Sequence, residues 1–364
     1  MALFIGIYIY CLIFSILEVI NLKLSINKVE LNYKKWAFII FWTFILILGL
    51  CRNEQYGYDW DGYKYDYFLK YSKMSFHDVV LTRTDVGYAI LNWLIGRFTD
   101  EFIIFRNIVY TITSLLMGLW IYKKSNMRML SCLIYLSFGF LPFDFFIMRQ
   151  ALAVCIIIWG YDFIVEKKLI KYIIIVLIAS TIHSTAIGAL LFYPLVNSKF
   201  KTIGFVKHSL ILLGVAIFSP LCITYIVQNY FSGRYINMII SGEGIKMFVL
   251  LLVFIAIIAF YNNSEKFIDS TNNGLFEIVL SAIYFQAVAI SFSLFSRMGM
   301  YSTVFITILI PSCLENCKNK ENRKSFYFVL FGIFLILYIF QIKSGMNTSV
   351  YIPYISIWDK LYKY

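Results

Sequence analysis

Long apolar runs, broken by short polar turns, repeat along this chain and set the order of its elements. The first covers residues 3–20 and the second 36–50, with Lys23, Lys28, Lys34 and Lys35 in the turn between them. A hydrocarbon core of ~30 Å takes about 20 apolar residues of helix, so each run predicts one membrane crossing. Lipid leaves no other partner for backbone polar groups, and the alternating pattern of a barrel strand is absent. Further runs at 102–122, 129–147, 151–165, 172–192, 275–296, 298–313 and 326–341, with the apolar sequence on either side of Arg234 and Glu243, bring the expectation to about ten or eleven spans. Residues 3–20 lack a basic leader and a small-residue cleavage site, and so read as a retained helix. With no internal repeat and no linker, residues 1–364 read as a single integral membrane domain, all-α and polytopic.

Basic turns favour the cytoplasm. The turn at 23–35 therefore puts residues 51–101 outside, where Glu54, Asp59, Asp61, Asp66, Asp78, Asp85, Asp100 and Glu101 outnumber the basic residues. Inside this loop, residues 86–98 are apolar but short, which predicts a helix at the membrane interface. Lys123, Lys124 and Arg128, then Lys167, Lys168 and Lys171, mark later cytoplasmic turns, so Arg149 falls at the outer face. Lys318, Lys320, Arg323 and Lys324 do the same near the end and place Arg297 outside. One conflict stays open. Lys199, Lys201 and Lys207 also ask for the cytoplasm, so either the span carrying His183 breaks near 181–185, or those lysines face an anionic partner outside.

Composition confirms the class and narrows the chemistry. With 61% apolar and 14% charged residues the chain is too hydrophobic for a soluble fold, and its net charge of +12 sits in turns, as a topology signal and not a nucleic-acid surface. Seven cysteines include no metal-spaced cluster, and Cys313 and Cys317 read as packing residues. No cofactor or metal is expected.

The hairpin at 148–194 holds the polar groups that apolar spans do not need: Arg149, Gln150, His183 and Ser184. Ionisable groups at membrane depth cost several kcal/mol and usually line a cavity or meet a ligand. With a rise of 1.5 Å per residue, His183 stands roughly 18 Å above Lys171, in the outer half of the membrane near Arg149. Arg52, Arg149, Arg297 and a protonated His183 thus gather at outer helix ends. Arginine's planar fork suits a pyrophosphate; snorkelling to lipid phosphates is the plainer alternative for each one taken alone. In the outer loop Tyr56, Tyr58, Trp60, Tyr63, Tyr65, Tyr67 and Tyr71 alternate with acids. Rings that stack on sugars and carboxylates that hold hydroxyls would make this a carbohydrate surface, against the aromatic belt of any membrane interface. Asp59, Asp61 and Asp85 are candidate general bases, as is His183.

These segments, ordered as Arg52 with GYDWDGY (57–63), TDVGYAILNWLI (84–95), RQALA (149–153), IHSTA (182–186), SRMGMY (296–301) and YIPY (351–354), resemble the EpsG family of bacterial membrane proteins, which overlaps the Wzy polymerases of O-antigen, capsule and exopolysaccharide. The likeness runs through nearly the whole chain, with one departure: Val86 separates Asp85 from Gly87. The resemblance implies a GT-C-like glycosyltransferase of the bacterial inner membrane with its site outside. It would move a glycan from undecaprenyl pyrophosphate to a second lipid-linked repeat unit, amid membrane lipids and with a chain-length regulator as a further partner. Arg149, Arg297, Arg52 and Gln150 would hold the pyrophosphate, Tyr58, Trp60, Tyr63 and Tyr88 the sugar, and His183, Asp59, Asp61 or Asp85 the proton. The rival classes are a flippase for the same lipid-linked sugar and a membrane acyltransferase that modifies the polysaccharide. A flippase would be expected to show repeats, and an acyltransferase an acid beside its histidine.

Overall fold

The computed structural model describes residues 1–21, 25–26, 29–30, 32–56, 59–82, 85–197, 211, 214–215, 218–219, 222, 225, 229, 243–265, 274–347 and 354–359. Tyr58, Lys199, Lys201 and Lys207 lie outside them. The fold is an all-α polytopic membrane protein, and its only sheet among the described residues is a two-stranded turn pairing Ser25–Ile26 with Val29–Glu30. Among the described residues seven helices are long and apolar enough to cross a membrane, or eight if one bent pair is counted as a span. Part of the expected ten or eleven falls on residues 198–242, most of which lie outside the described ones, and three of the expected runs differ for a physical reason. The run at 129–147 is broken by a 64° bend, and those at 172–192 and 275–296 form apolar helices too short to cross alone.

The chain packs as two compact units, residues 1–156 with 178–184 and 323–364, and residues 157–177 with 185–322. In the first, α1 (Ala2–Val19) turns Phe4, Ile7, Tyr8, Cys11 and Ser15 inward at helical spacing, while Ile5, Ile9 and Ile13 stay exposed for lipid. Its end is fixed by a cap: the buried Glu18 carboxyl accepts from the Met129 and Leu130 amides at 2.9 and 3.1 Å, at the start of α7 (Arg128–Ser137). The C-terminal helix Lys320–Asn347 joins α1 through a Ser15–Tyr327 hydroxyl pair at 2.8 Å and the stacked rings of Tyr8 and Tyr338, 4.1 Å apart.

Helices α2 (Tyr33–Leu50) and α6 (Phe102–Lys124) approach closely because each offers a glycine to an aromatic ring of the other. A Cβ on Gly49 would stand 1.9 Å from Tyr110, and one on Gly118 would stand 2.3 Å from Trp42. The same rings then bond to main chain, Trp42 Nε1 to the Ser114 carbonyl and Tyr110 Oη to the Ile45 carbonyl, both at 2.8 Å. Helix α7 ends at Gly139, whose φ of +74° lets the chain turn into α8 (Phe140–Phe146). Then α9 (Met148–Trp159) begins.

The loop of residues 51–101 is helical for much of its described length: a π-helical turn Gly62–Phe68 leads into α3 (Leu69–Lys73), then α4 (Phe76–Val80) and α5 (Val86–Ile95). Tyr71, Val79 and Ala89 form its small core.

In the second unit α10 (Tyr161–Val165) follows α9, and α11 (Leu169–Ile182) enters the hairpin. A tight 3₁₀ segment, Ser184–Leu191, comes next, then α12 (Phe192–Asn197). The break therefore falls at His183, within the stretch where the lysine conflict allowed one. Tyr172 Oη bonds the Ala189 carbonyl at 2.7 Å, and Glu265 accepts the Lys318 and Asn319 amides at 2.7 and 3.2 Å.

Candidate active site

Three of the sequence motifs meet at one carboxylate. Asp85 precedes α5 in the left-handed region (φ 52°, ψ 42°), a conformation that a short polar side chain tolerates better than most. One oxygen accepts from Arg149 Nη1 at 2.6 Å and the other from the Ser184 amide at 3.1 Å. Arg149 lies in the first turn of α9, and Ser184 comes two residues after the end of α11, so Asp85 ties the two arms of the hairpin to the loop of residues 51–101. Gly87 makes this approach possible, since a Cβ there would lie 2.2 Å from Thr181 Oγ1.

Aromatic rings enclose the cation. The Arg149 guanidinium carbon lies 4.3 Å from the Tyr67 ring centre, 5.8 Å from Tyr63 and 5.9 Å from Tyr88. These tyrosines also touch one another edge-on, with Tyr67 and Tyr88 centroids 5.7 Å apart and Tyr63 and Tyr88 6.3 Å apart. Their π faces attract the guanidinium and keep water from its plane. The pair is not sealed, for the Arg149 side chain keeps 22% of its exposure and Asp85 keeps 12%. Burial lifts the Asp85 carboxyl above the usual carboxylate range, with Arg149 and the Ser184 amide pulling the other way. Burial likewise raises the Tyr63 phenol.

The remaining candidates differ in burial. His183 is buried at 6% exposure, and its amide closes α11 on the Ala179 carbonyl at 2.9 Å. Gln150 is buried at 2% beside Arg149 in α9. Asp59 is exposed and lines a narrow crevice with Trp60, Tyr63, Arg106 and Met148. Asp61 is exposed and accepts from the Gly62 amide at 2.8 Å, at the start of the π-helical turn. Trp60 lies 6.3 Å from Tyr65, centroid to centroid. Arg297 is exposed on the helix Leu294–Thr303 of the second unit. No group of three or more His, Cys, Asp or Glu placed to hold a metal occurs among the described residues.

Arg52 departs most from its expected place at an open outer surface. It is buried to 1%, its Nε and Nη1 donate to the Gly49 and Phe145 carbonyls at 2.9 and 2.6 Å, and burial pulls its pKa down to about 10, still cationic at neutral pH. Two residues that pattern reading passed over stand out. Tyr67 makes the closest stack on Arg149, and the alternation of rings and acids in the sequence gives it no more weight than its six neighbours. Arg106, buried to 3% in the first turns of α6, bonds the Arg52 and Asn53 carbonyls at 2.8 and 2.6 Å. An arginine inside an otherwise apolar span was its signal.

The arrangement presents a partly accessible, aromatic-walled cation oriented by a carboxylate, next to a helix break that carries a histidine. Such a site can receive an anionic group and a ring of mixed polarity. No curated protein and no solved structure matches the chain. The EpsG family model matches residues 34–356, nearly its whole length, and the chain belongs to the EpsG family.

Proposed function

We propose that this protein is a polysaccharide polymerase that transfers a growing glycan from undecaprenyl pyrophosphate to the terminal sugar of another lipid-linked repeat unit. Family membership supports polymerase-like chemistry. The single observation that carries the finer reading is the convergence of Arg149, Asp85 and Ser184, with Tyr63, Tyr67 and Tyr88 walled around the cation. Arg149 neutralises the pyrophosphate that departs from the anomeric carbon of the donor, and the aromatic walls strengthen that interaction by excluding water. The acceptor hydroxyl forms the new C–O bond as the old one breaks, and His183 takes its proton. Asp85 orients Arg149. The reaction takes place at the outer face of the bacterial inner membrane.

The test is a gel of surface polysaccharide from cells deleted for this gene and complemented with wild type, Arg149→Ala or His183→Ala. The reading expects deletion to leave single repeat units on their carrier without the ladder of longer chains, and neither variant to restore the ladder. Loss of even the single unit from the surface would move the function to lipid transport. An unchanged ladder would overturn both.

A further inference from the structure

We propose that Arg52 is a positioning residue: it pins the root of the outer loop to the end of α8, and so fixes Arg149 against its tyrosine wall. The proposal rests on the reading of Arg149 given above, and its evidence is the way the Arg52 side chain is used.

Two of the three guanidinium nitrogens are committed to backbone, and the third, Nη2, is buried without a hydrogen-bond partner among the described residues. The side chain is buried to 1%, and its fork spans two elements, with Nε on the Gly49 carbonyl at the end of α2 (2.9 Å) and Nη1 on the Phe145 carbonyl at the end of α8 (2.6 Å). Carbonyls at a helix end have no partner within the helix, and a cation there also suits the helix dipole. The guanidinium plane is held by the Phe145 ring at 4.2 Å and the Tyr110 ring at 4.9 Å. Burial to 1% with Nε and Nη1 on carbonyls directs this fork to backbone.

The main chain around Arg52 is gripped from two further sides. Arg106 donates to the Arg52 and Asn53 carbonyls at 2.8 and 2.6 Å. The C-terminal segment adds a short antiparallel bridge: Asn53 N bonds the Ile355 carbonyl and Ile357 N bonds the Cys51 carbonyl, each at 2.9 Å. Tyr354 Oη reaches the Leu48 carbonyl at 2.7 Å and anchors that segment.

Both halves of the Arg149 site hang from this root. Downstream of Asn53 the loop enters the π-helical turn bearing Tyr63 and Tyr67, and downstream of Phe145 the chain starts α9 at Met148 with Arg149 next. A shift between Asn53 and Phe145 therefore becomes a shift between the rings and the cation they enclose. Lysine keeps the charge but has no planar fork to span both carbonyls and stack between two rings.

The experiment compares wild type, Arg52→Lys and Tyr354→Phe in lipid nanodiscs. Lipid-linked repeat units extracted from the deletion strain serve as substrate, and hydrogen exchange is followed by mass spectrometry. A misplacement of about 1 Å costs up to a hundredfold in rate, so Arg52→Lys should lower kcat roughly tenfold to a hundredfold while KM stays within about twofold. Exchange should rise at residues 51–56, 62–68 and 145–151 and stay unchanged in α1 and α7. Tyr354→Phe, which removes one hydroxyl only, should shift both readouts the same way by less, and it decides the matter if Arg52→Lys does not fold. Unchanged exchange at 145–151, or a loss confined to KM, would overturn the proposal. If Arg149→Ala retains the ladder, the polymerase reading falls, while the exchange pattern still judges whether Arg52 governs residues 145–151.

Discussion

Asp85 and Arg149, 64 residues apart, share a hydrogen-bonded ion pair at 2.6 Å. A carboxylate committed on one oxygen to a guanidinium and on the other to the Ser184 amide is placed to orient, and less suited to take a proton from substrate. Asparagine can still accept from the Ser184 amide, so Asp85→Asn should lose only the charge-assisted bond. A charged hydrogen bond contributes about 1.5–3 kcal/mol, so Asp85→Asn should reduce turnover roughly tenfold to a hundredfold, and Asp85→Ala should cost more. Equal and complete loss in both variants would make Asp85 the base.

The same carboxyl gives a pH dependence with two opposite signs. Its folded-state pKa is raised by burial, so the folded protein holds the proton more tightly than the unfolded chain does. The stability it contributes is complete below the unfolded carboxylate value and is lost as pH rises through the folded one. Activity needs the ionised form and should fall as pH drops through that raised pKa, above the range of an exposed aspartate. Turnover and thermal unfolding measured against pH should thus diverge for wild type, and Asp85→Asn should flatten this contribution to both curves.

The Tyr67 ring, 4.3 Å from the guanidinium carbon, tests the aromatic wall. Cation–π stacking contributes about 0.5–2 kcal/mol, so Tyr67→Leu should slow turnover roughly twofold to thirtyfold, and Tyr67→Phe, which keeps the ring, should sit near wild type. A loss in Tyr67→Phe as large as in Tyr67→Leu would assign the effect to the hydroxyl.

Gly87 tests the approach of α5 to α11. An alanine Cβ would stand 2.2 Å from Thr181 Oγ1 and 2.9 Å from Thr181 Cβ, so Gly87→Ala should destabilise by about 1–3 kcal/mol and reduce activity. Adding Thr181→Ala should recover part of both, because the two nearest atoms belong to that side chain. Thermal unfolding in detergent and the polysaccharide ladder measure the pair.

Glu18 offers a test away from the site. Its carboxylate caps α7 through two amides, so Glu18→Ala should lower the unfolding temperature, at about 1–3 kcal/mol for the amides left buried without an acceptor. Glu18→Gln keeps a carbonyl oxygen and should lose less.

The sequence by itself determined the membrane class and the elements of most spans, and it marked where polar groups interrupt them. Transfer of an apolar run into hydrocarbon depends on the run's own composition and length, so 2–19 or 102–124 declares itself as a helix without reference to any neighbour. Arg149 and His183 were legible for the related reason that a polar group in an apolar run stands out against the cost of burying it. Only the tertiary structure decided how those groups are used. It paired Asp85 with Arg149, set Tyr67 out of a row of similar tyrosines against that guanidinium, and buried Arg52 with a bond to the Phe145 carbonyl. Ion pairs, ring stacks and hydrogen bonds act over a few ångströms between segments far apart in the chain. Which segments meet depends on the packing of glycines such as Gly49, Gly87 and Gly118 against particular side chains, and no local pattern of hydropathy encodes it.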